Sequence, residues 1–545
     1  MNVFLKIIVG FLLFFTPFAF AGAEPWGFAV LQGGIVLCWI LLLFSRHRLL
    51  FPSTLRPVLF TLGFLILLTF IQTFFYRTLL DPVAAYPVTL MPLYSWEHIS
   101  FFITYLAVVL LVPQIYISQH EVQKLLLLIT FSAVAVALCF TCFPKGDYIF
   151  YLTGVRGGIG PFFNRNHAAV FLALGALAAL GLFVTAQLKC NRVMSSRQKN
   201  TFYLQQICVF VVFAGLCFAA IMTRSRGGIL ALLCGLFCYA VLCVLAVPHQ
   251  LRKKLKGLLL TLIMLALSVG WVYTHVDDIN LFANRSTGVS SQTRQMLYRS
   301  ATRILAQRPV WGIGVGAMPV VITSYTEWPM KSYIERLHND WLEILLGIGY
   351  GGAIFIVTGL LWFLFFVSKR LRRLEIRKQF LFAALLSALF AMSVASAVDF
   401  HFFIPANALV FFLLLGLVCA PTYAKHHIRE INITVWLRLA VVLVLAASMY
   451  IPIQKTRAWR CVEFGRGLKT NAKLTQYERS VAYYPSPRYA VRLGNAYLNA
   501  SYRAVTVEEK EAFRQKAFEL SLIYLDKYPR EKELSALYAR SRPHS

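Results

Sequence analysis

The sequence predicts an all-α fold, a polytopic transmembrane helical bundle of about 12–13 spans followed by a smaller helical tail. Three observations predict it. Only 14% of the 545 residues are charged, where soluble chains average about 25%. Mean hydropathy is +0.66. The apolar residues fall in continuous runs of about 20, enough for a helix to cross the hydrocarbon core, and do not alternate as barrel strands do. Such a composition excludes a disordered chain, a coiled coil and a disulfide-rich secreted module. The formal charge of +30 comes from 53 Lys and Arg against 23 Asp and Glu. In a soluble protein it would suggest nucleic acid. Here the cations cluster between apolar runs, where they set topology, so no nucleic-acid partner is expected. A basic surface can instead hold anionic inner-membrane lipids or a lipid-linked phosphate.

Thirteen candidate spans follow in order, at about 4–22, 27–45, 57–75, 98–116, 124–143, 167–187, 206–222, 227–247, 257–274, 341–367, 380–398, 402–420 and 434–453. Lys6 and the small-residue run Ala19-Phe20-Ala21 give the first span the look of a secretory leader, but such peptides rarely open a polytopic bundle, and retention is expected. Every even-numbered exit is basic, for example Arg252, Lys253, Lys254 and Lys256 after span eight, so those loops and the N-terminus are expected in the cytoplasm. The odd exits then lie outside. They include a long loop at about 275–340 and the tail, giving two domains, 1–453 in the membrane and 454–545 beyond it. Tail helices are expected at about 473–484, 488–500, 508–527 and 531–540, broken near Pro485, Pro487 and Pro529, with a loose TPR-like character. Ten of the eleven cysteines lie in or beside apolar spans, where they act as small hydrophobes, and no disulfide framework is implied.

The outer segments carry the candidate chemistry. Thr223-Arg224-Ser225-Arg226-Gly227-Gly228 joins spans seven and eight almost without a loop. Arginines at a span end can snorkel, or can grip phosphate with a bidentate fork, aided by close backbone approach at the glycines and by the helix dipole. In the long loop, Arg294, Met296, Leu297, Ala301, Ile304 and Leu305 fit an amphipathic helix lying on the membrane. The run Pro309-Val310-Trp311-Gly312-Ile313-Gly314-Val315-Gly316 lacks dinucleotide-binding spacing and reads as a tight turn back to the membrane. His338-Asn339-Asp340-Trp341-Leu342-Glu343 opens span ten, with Gly347, Gly349, Gly351 and Gly352 behind it. An imidazole there suits a general base at neutral pH, and Asp340 and Glu343 are two candidates to orient it. Asn164 and Asn166 precede span six and can cap that helix or bind sugar hydroxyls. Asp399 and His401 sit at another outer turn, where capping is expected. No DxD, HExxH or Cys/His ligand spacing is present, so neither metal nor cofactor is expected.

These segments, in this order on a polytopic bundle, resemble the O-antigen ligase and O-antigen polymerase superfamily. Pro25-Trp26, Asn164-Arg165-Asn166, Ser225-Arg226-Gly227, Arg294 with Arg308-Pro309-Val310-Trp311-Gly312-Ile313-Gly314, and His338-Asn339 with Leu342 and Gly349 are similar to the family's segments. Arg165 stands where the family often has Pro, and Trp311 where it usually has Leu. The likeness covers about 150–420 well. It implies a bacterial inner-membrane enzyme that transfers a glycan from undecaprenyl diphosphate on the periplasmic face, metal-independent and inverting, like the GT-C-like glycosyltransferases. It implies that Arg226 and Arg294 grip the diphosphate and that His338 activates the acceptor hydroxyl; between Arg224 and Arg226 the choice stays open, and the motif match favours Arg226. The acceptor stays open between lipid A core, another glycan and a protein. A lipid-linked sugar transporter is the competing class. It would be marked by intramembrane charges and inverted repeats, whereas the charges here gather at the outer face.

Overall fold

In hydrocarbon every backbone N–H and C=O must find a partner within the protein, and a helix lets a single apolar run satisfy its own. The apolar runs accordingly become helices. The computed structural model describes residues 2–46, 48–75, 87–142, 159–187, 195–246, 291–322, 325, 334–423, 428–527 and 532–542. Its membrane helices are α1 (Asn2–Phe18), α2 (Pro25–Ser45), α3 (Leu55–Phe74), α4 (Pro92–Ile115), α5 (Gln119–Cys142), α6 (Arg165–Gln187), α7 (Ser196–Met222) and α8 (Arg226–Ala246). The long loop between α8 and the next membrane helix contributes α9 (Ser291–Gln307) and the short α10 (Met318–Val321). The bundle resumes with α11 (Asp340–Leu371), α12 (Ile376–Ala395), α13 (Pro405–Val418) and α14 (Val435–Ser448). After a turn at Met449, α15 (Tyr450–Arg466) leads into the tail helices α16 (Thr470–Tyr483), α17 (Pro487–Ser501), α18 (Val507–Lys527) and α19 (Lys532–Ser541). The expected span at 257–274 lies outside the described residues.

Among the described residues ten helices are long and apolar enough to cross a membrane, with α14 and α15 taken as one, and α1 and α13 are shorter apolar helices. The chain is a multi-pass, all-α membrane protein. The outer faces of α7 and α11 confirm the solvent they were built for: Leu204, Ile207, Val211 and Phe218 on one, and Ile354, Leu361 and Phe365 on the other, are exposed large apolar side chains. Lipid is a solvent in which such helix faces are favourable. The centre is α6, whose residues from Ala168 to Ala179 are all buried. Small residues bring its neighbours close. A Cβ at Gly228 would lie 2.2 Å from the Ala169 Cβ, so α8 meets α6 at near backbone distance.

Two pairings fix which loops share an end. The loops after α2 and α13 form an antiparallel two-stranded ribbon, β1 (Arg48–Pro52) against β2 (Ile428–Asn432), a departure from the all-helical expectation. At the opposite end the segments before α6, α8, α11 and α13 meet at one polar cluster, described below. Among the described residues, the exits of spans two and twelve thus share one end and those of spans five, seven and eleven the other. The tail helices form near the positions expected, but α15 carries the last apolar span on to Arg466, so the helix does not stop at 454.

The amphipathic helix of the outer loop forms, but its partner is protein and not the membrane surface. Leu297, Ala301, Ile304 and Leu305 are buried in one cluster with Leu337, Val320 and the tail residues Ala490, Val491, Tyr524 and Leu534. Periodicity marks the apolar face of a helix; it says nothing about what covers it.

The glycine turn has a specific seat. At Gly349 (φ 66°) α11 breaks, which releases backbone groups from the helical ladder. The turn takes them up: Ile313 N–H donates to Leu346 O (3.0 Å) and Gly314 N–H to Gly347 O (3.1 Å). In return Tyr350 N–H donates to Pro309 O (2.7 Å) and Gly351 N–H to Val310 O (2.9 Å). Gln72 locks the join, donating to Trp311 O and Gly347 O and accepting from Val315 N–H. Gly312 has φ 68°, and a Cβ there would lie 2.2 Å from Leu346 O. The backbone strain alone costs about 1–3 kcal/mol. Gly312→Ala is expected to lower the thermal midpoint of the detergent-purified protein by several degrees. Gly63→Ala, where the added methyl meets open space, is expected to leave it unchanged. Equal midpoints for both would refute this account of the turn.

Candidate functional site

The site is built on a strained helix entry. Asn339 caps α11, its side chain accepting from Leu342 N–H (3.0 Å). The residue before the cap, His338, is forced to φ 56°, one of four non-glycine positive φ values among the described residues. Arg224 is another, also at 56°. Such strain costs about 1–3 kcal/mol and collects where geometry serves function. Tyr298 on α9 holds the turn by donating its hydroxyl to His338 O (2.9 Å).

The carboxylate of Asp399 organises the cluster. His338 Nδ1 lies 2.8 Å from its Oδ1. Asn166 Nδ2 donates to its Oδ2, and Arg294 Nη2 stands 3.7 Å from the same oxygen. Asn166 is used at both ends, since its Oδ1 accepts from the Ser225 hydroxyl (2.8 Å). Four segments distant in sequence thus join in one chain, Ser225–Asn166–Asp399–His338, with Arg294 alongside. Phe400 covers the imidazole edge-on, at 5.0 Å between ring centroids. Burial pushes the Asp399 carboxyl up, but the His338 hydrogen bond and the surrounding imidazoles His338, His167 and His401 together hold the group well below the usual carboxylate range. Asp399 is therefore an anion that accepts the Nδ1 proton of His338. This fixes the tautomer and leaves Nε2 as the basic nitrogen.

Behind Asp399, His167 and His401 face each other with their Nδ1 atoms 3.2 Å apart, and Asn407 donates to His167 O (3.1 Å). Burial, with His167 beside it, lowers the His401 imidazole to about 3, so it is neutral at physiological pH. The two buried imidazoles form a layer beneath Asp399.

Several expectations are corrected here. Neither Asp340 nor Glu343 orients His338. Asp340 Oδ2 accepts from His401 N–H (2.7 Å) and Phe402 N–H (2.9 Å), pinning the turn that carries Asp399. Glu343 pairs with Arg336 (2.9 Å) and accepts from Leu337 N–H (3.0 Å). Both acids are taken up by segments outside the helix, Asp340 by the turn before α13 and Glu343 by the residues just ahead of α11, and so are not available to His338. Asp399 and His401 are not caps but the orienter and its floor. Asn164 does cap α6, accepting from Asn166 N–H (2.8 Å). Gly227 and Gly228 serve packing: a Cβ at Gly227 would touch Val398, and one at Gly228 would strike Ala169.

The arginines differ in how they meet the cluster: Arg294 touches Asp399, and Arg224 and Arg226 adjoin it through Ser225. Arg224 and Arg226 flank Ser225 and are both exposed. Ser225 opens α8, accepting from Gly228 N–H (3.1 Å). Arg294 is partly buried, and its Nε has no hydrogen-bond partner among the described residues. The arrangement holds an imidazole against a buried anion, with the Arg294 guanidinium beside that anion and Arg224 and Arg226 on the adjoining segment. The signal for Asp399 was present but faint: it is the single acid between Glu375 and Glu430.

Residues 210–357 match the family model described as O-antigen ligase. That stretch contains Arg224, Arg226, Arg294 and His338, and leaves Asn166 and Asp399 outside it. A search of curated proteins returns no match to this chain.

Proposed function

We propose, on the premise that residues 210–357 form an O-antigen ligase domain, that the chain transfers a glycan from undecaprenyl diphosphate to an acceptor hydroxyl on the periplasmic face of the inner membrane. The observation that carries the reading is the hydrogen-bonded chain from Ser225 through Asn166 and Asp399 to His338. It brings the arginine-bearing segment and the base to one place.

In this reading His338 Nε2 takes the proton of the acceptor hydroxyl as its oxygen attacks the sugar C1. The new C1–O bond forms while the bond from C1 to the diphosphate oxygen breaks. The leaving diphosphate departs with the electron pair, and Arg294, Arg226 and Arg224 stabilise its charge. One displacement inverts the anomeric centre. The imidazolium that forms is held by the Asp399 anion. Polyprenyl diphosphate leaves well once its charge is met, so the arginines suffice and no metal is required.

Lipid A core, a glycan end and a protein hydroxyl are the three acceptor classes, for a ligase, a polymerase and an oligosaccharyltransferase respectively. The test uses the purified full chain with radiolabelled undecaprenyl-diphosphate glycan and crude outer-envelope acceptors. Labelled acceptor should form with an equal amount of free undecaprenyl diphosphate, and EDTA should not slow it. Product analysis then identifies the acceptor. Movement of glycolipid between leaflets of a reconstituted vesicle, with no glycosidic bond formed, would overturn the reading in favour of transport.

A further inference from the structure

The tail forms a half-open cavity of about 900 Å³, walled by the start of α16, one face of α17 and α19. This is near the upper end of small-molecule sites, about 300–1,000 Å³. Its wall carries six cations, Lys469, Lys473, Arg488, Arg492, Arg503 and Arg540, against one acid, Glu533. Like charges gathered on a concave wall repel one another and raise the local concentration of anions. The repulsion is visible at Arg492, where burial and then the neighbouring Arg488 and Arg466 lower the guanidinium below its ordinary value. Among the described residues the Lys473 and Arg503 side chains have no ion-pair partner. Between the cations stand the amides of Asn495 and Asn499 and the ring of Tyr477. Amides and a tyrosine ring suit sugar hydroxyls and ring faces. The rim reaches the catalytic segment, because Arg488 forms an ion pair with Glu335, three residues before His338.

We infer that this cavity holds the anionic part of the acceptor, a saccharide bearing phosphate, sulfate-like or carboxylate groups. The ligand class rests on the cavity's own chemistry; its role as acceptor rests on the transferase reading above. The cavity would hold the acceptor in the tail while the hydroxyl to be glycosylated enters the site at His338.

The experiment measures binding by the detergent-purified full chain, without donor, at about 0.15 M salt, where exposed charges are largely screened beyond about 8 Å. The probe is a fluorescent sulfated, carboxylate-bearing tetrasaccharide, with neutral chitotetraose as its counterpart. The charged probe should bind the native chain about tenfold tighter than the neutral one, and Lys473→Gln with Arg503→Gln should abolish that preference, the effect of one or two charge-assisted hydrogen bonds. Glu533→Gln should tighten the charged probe, a gain that a misfolded tail cannot produce. Unchanged binding in the double variant would overturn the proposal. So would displacement of the probe by a polyglutamate peptide as readily as by unlabelled tetrasaccharide. Charged-saccharide binding in a chain that transfers no glycan would remove the catalytic reading alone. Normal transfer without such binding would remove the cavity proposal alone.

Discussion

His338→Ala should abolish glycan transfer while leaving donor binding intact, and Asp399→Asn should lower kcat by about 10²–10⁴-fold, the range a positioned general base contributes. The two substitutions test different halves of one device. Alanine at 338 removes the proton acceptor. Asparagine at 399 keeps the shape and an oxygen near His338 Nδ1, but not the charge. Its amide can also donate to Nδ1, which places the proton on Nε2 and blocks the base. Loss of the anion further withdraws the partner of the imidazolium that forms during transfer. Exogenous imidazole should restore part of the activity of His338→Ala, because the cavity left behind is lined by Phe400 and Asp399. It should do nothing for Asp399→Asn. Normal transfer by the His338 variant would remove the mechanism. Rescue of the Asp399 variant by imidazole would show that Asp399 holds the fold and not the tautomer.

The contrast between these two residues measures what the sequence could disclose. His338 was legible because it opens a span beside Asn339 with glycines behind it, a local pattern. Asp399 was not, because its partners lie 61 and 233 positions away and no periodicity links them. A lone acid between two apolar helices has the appearance of a cap until tertiary packing brings three other segments against it. The same limit governs α9. Its spacing fixed which face is apolar, and only the fold could supply the tail as the partner of that face. The membrane spans were the most legible feature, since hydrocarbon imposes length and polarity on each helix independently. The ribbon of β1 and β2 was the least, being five residues a strand and paired across the whole bundle.

The tail should matter to catalysis through Glu97. This residue lies early in α4 and is buried. One of its oxygens forms an ion pair with Lys455 of α15, and the other accepts from the Tyr484 hydroxyl of the tail (2.8 Å). Its neighbour His98 has Nε2 3.5 Å from Arg336 Nη1, and Arg336 pairs with Glu343, which in turn fixes Leu337 N–H beside His338. One polar chain therefore ties the tail to the segment that presents the base. Glu97→Gln keeps the volume and drops the charge, leaving Lys455 uncompensated. Breaking a fully buried pair costs about 3–5 kcal/mol. The Lys455 side chain is 31% exposed, so water recovers part of that, and a loss of about 1–3 kcal/mol is expected. The variant should be cleaved faster by protease near the junction of α15 and α16, and its kcat should fall with donor affinity unchanged. Glu97→Gln combined with Lys455→Met should be less damaging than Glu97→Gln alone, because removing both charges spares the stranded cation. Additive losses in that pair would mean that the two residues act separately. Unchanged cleavage and unchanged transfer in the single variant would mean that the tail is held by its apolar contacts with α9 and that the polar chain carries nothing to His338.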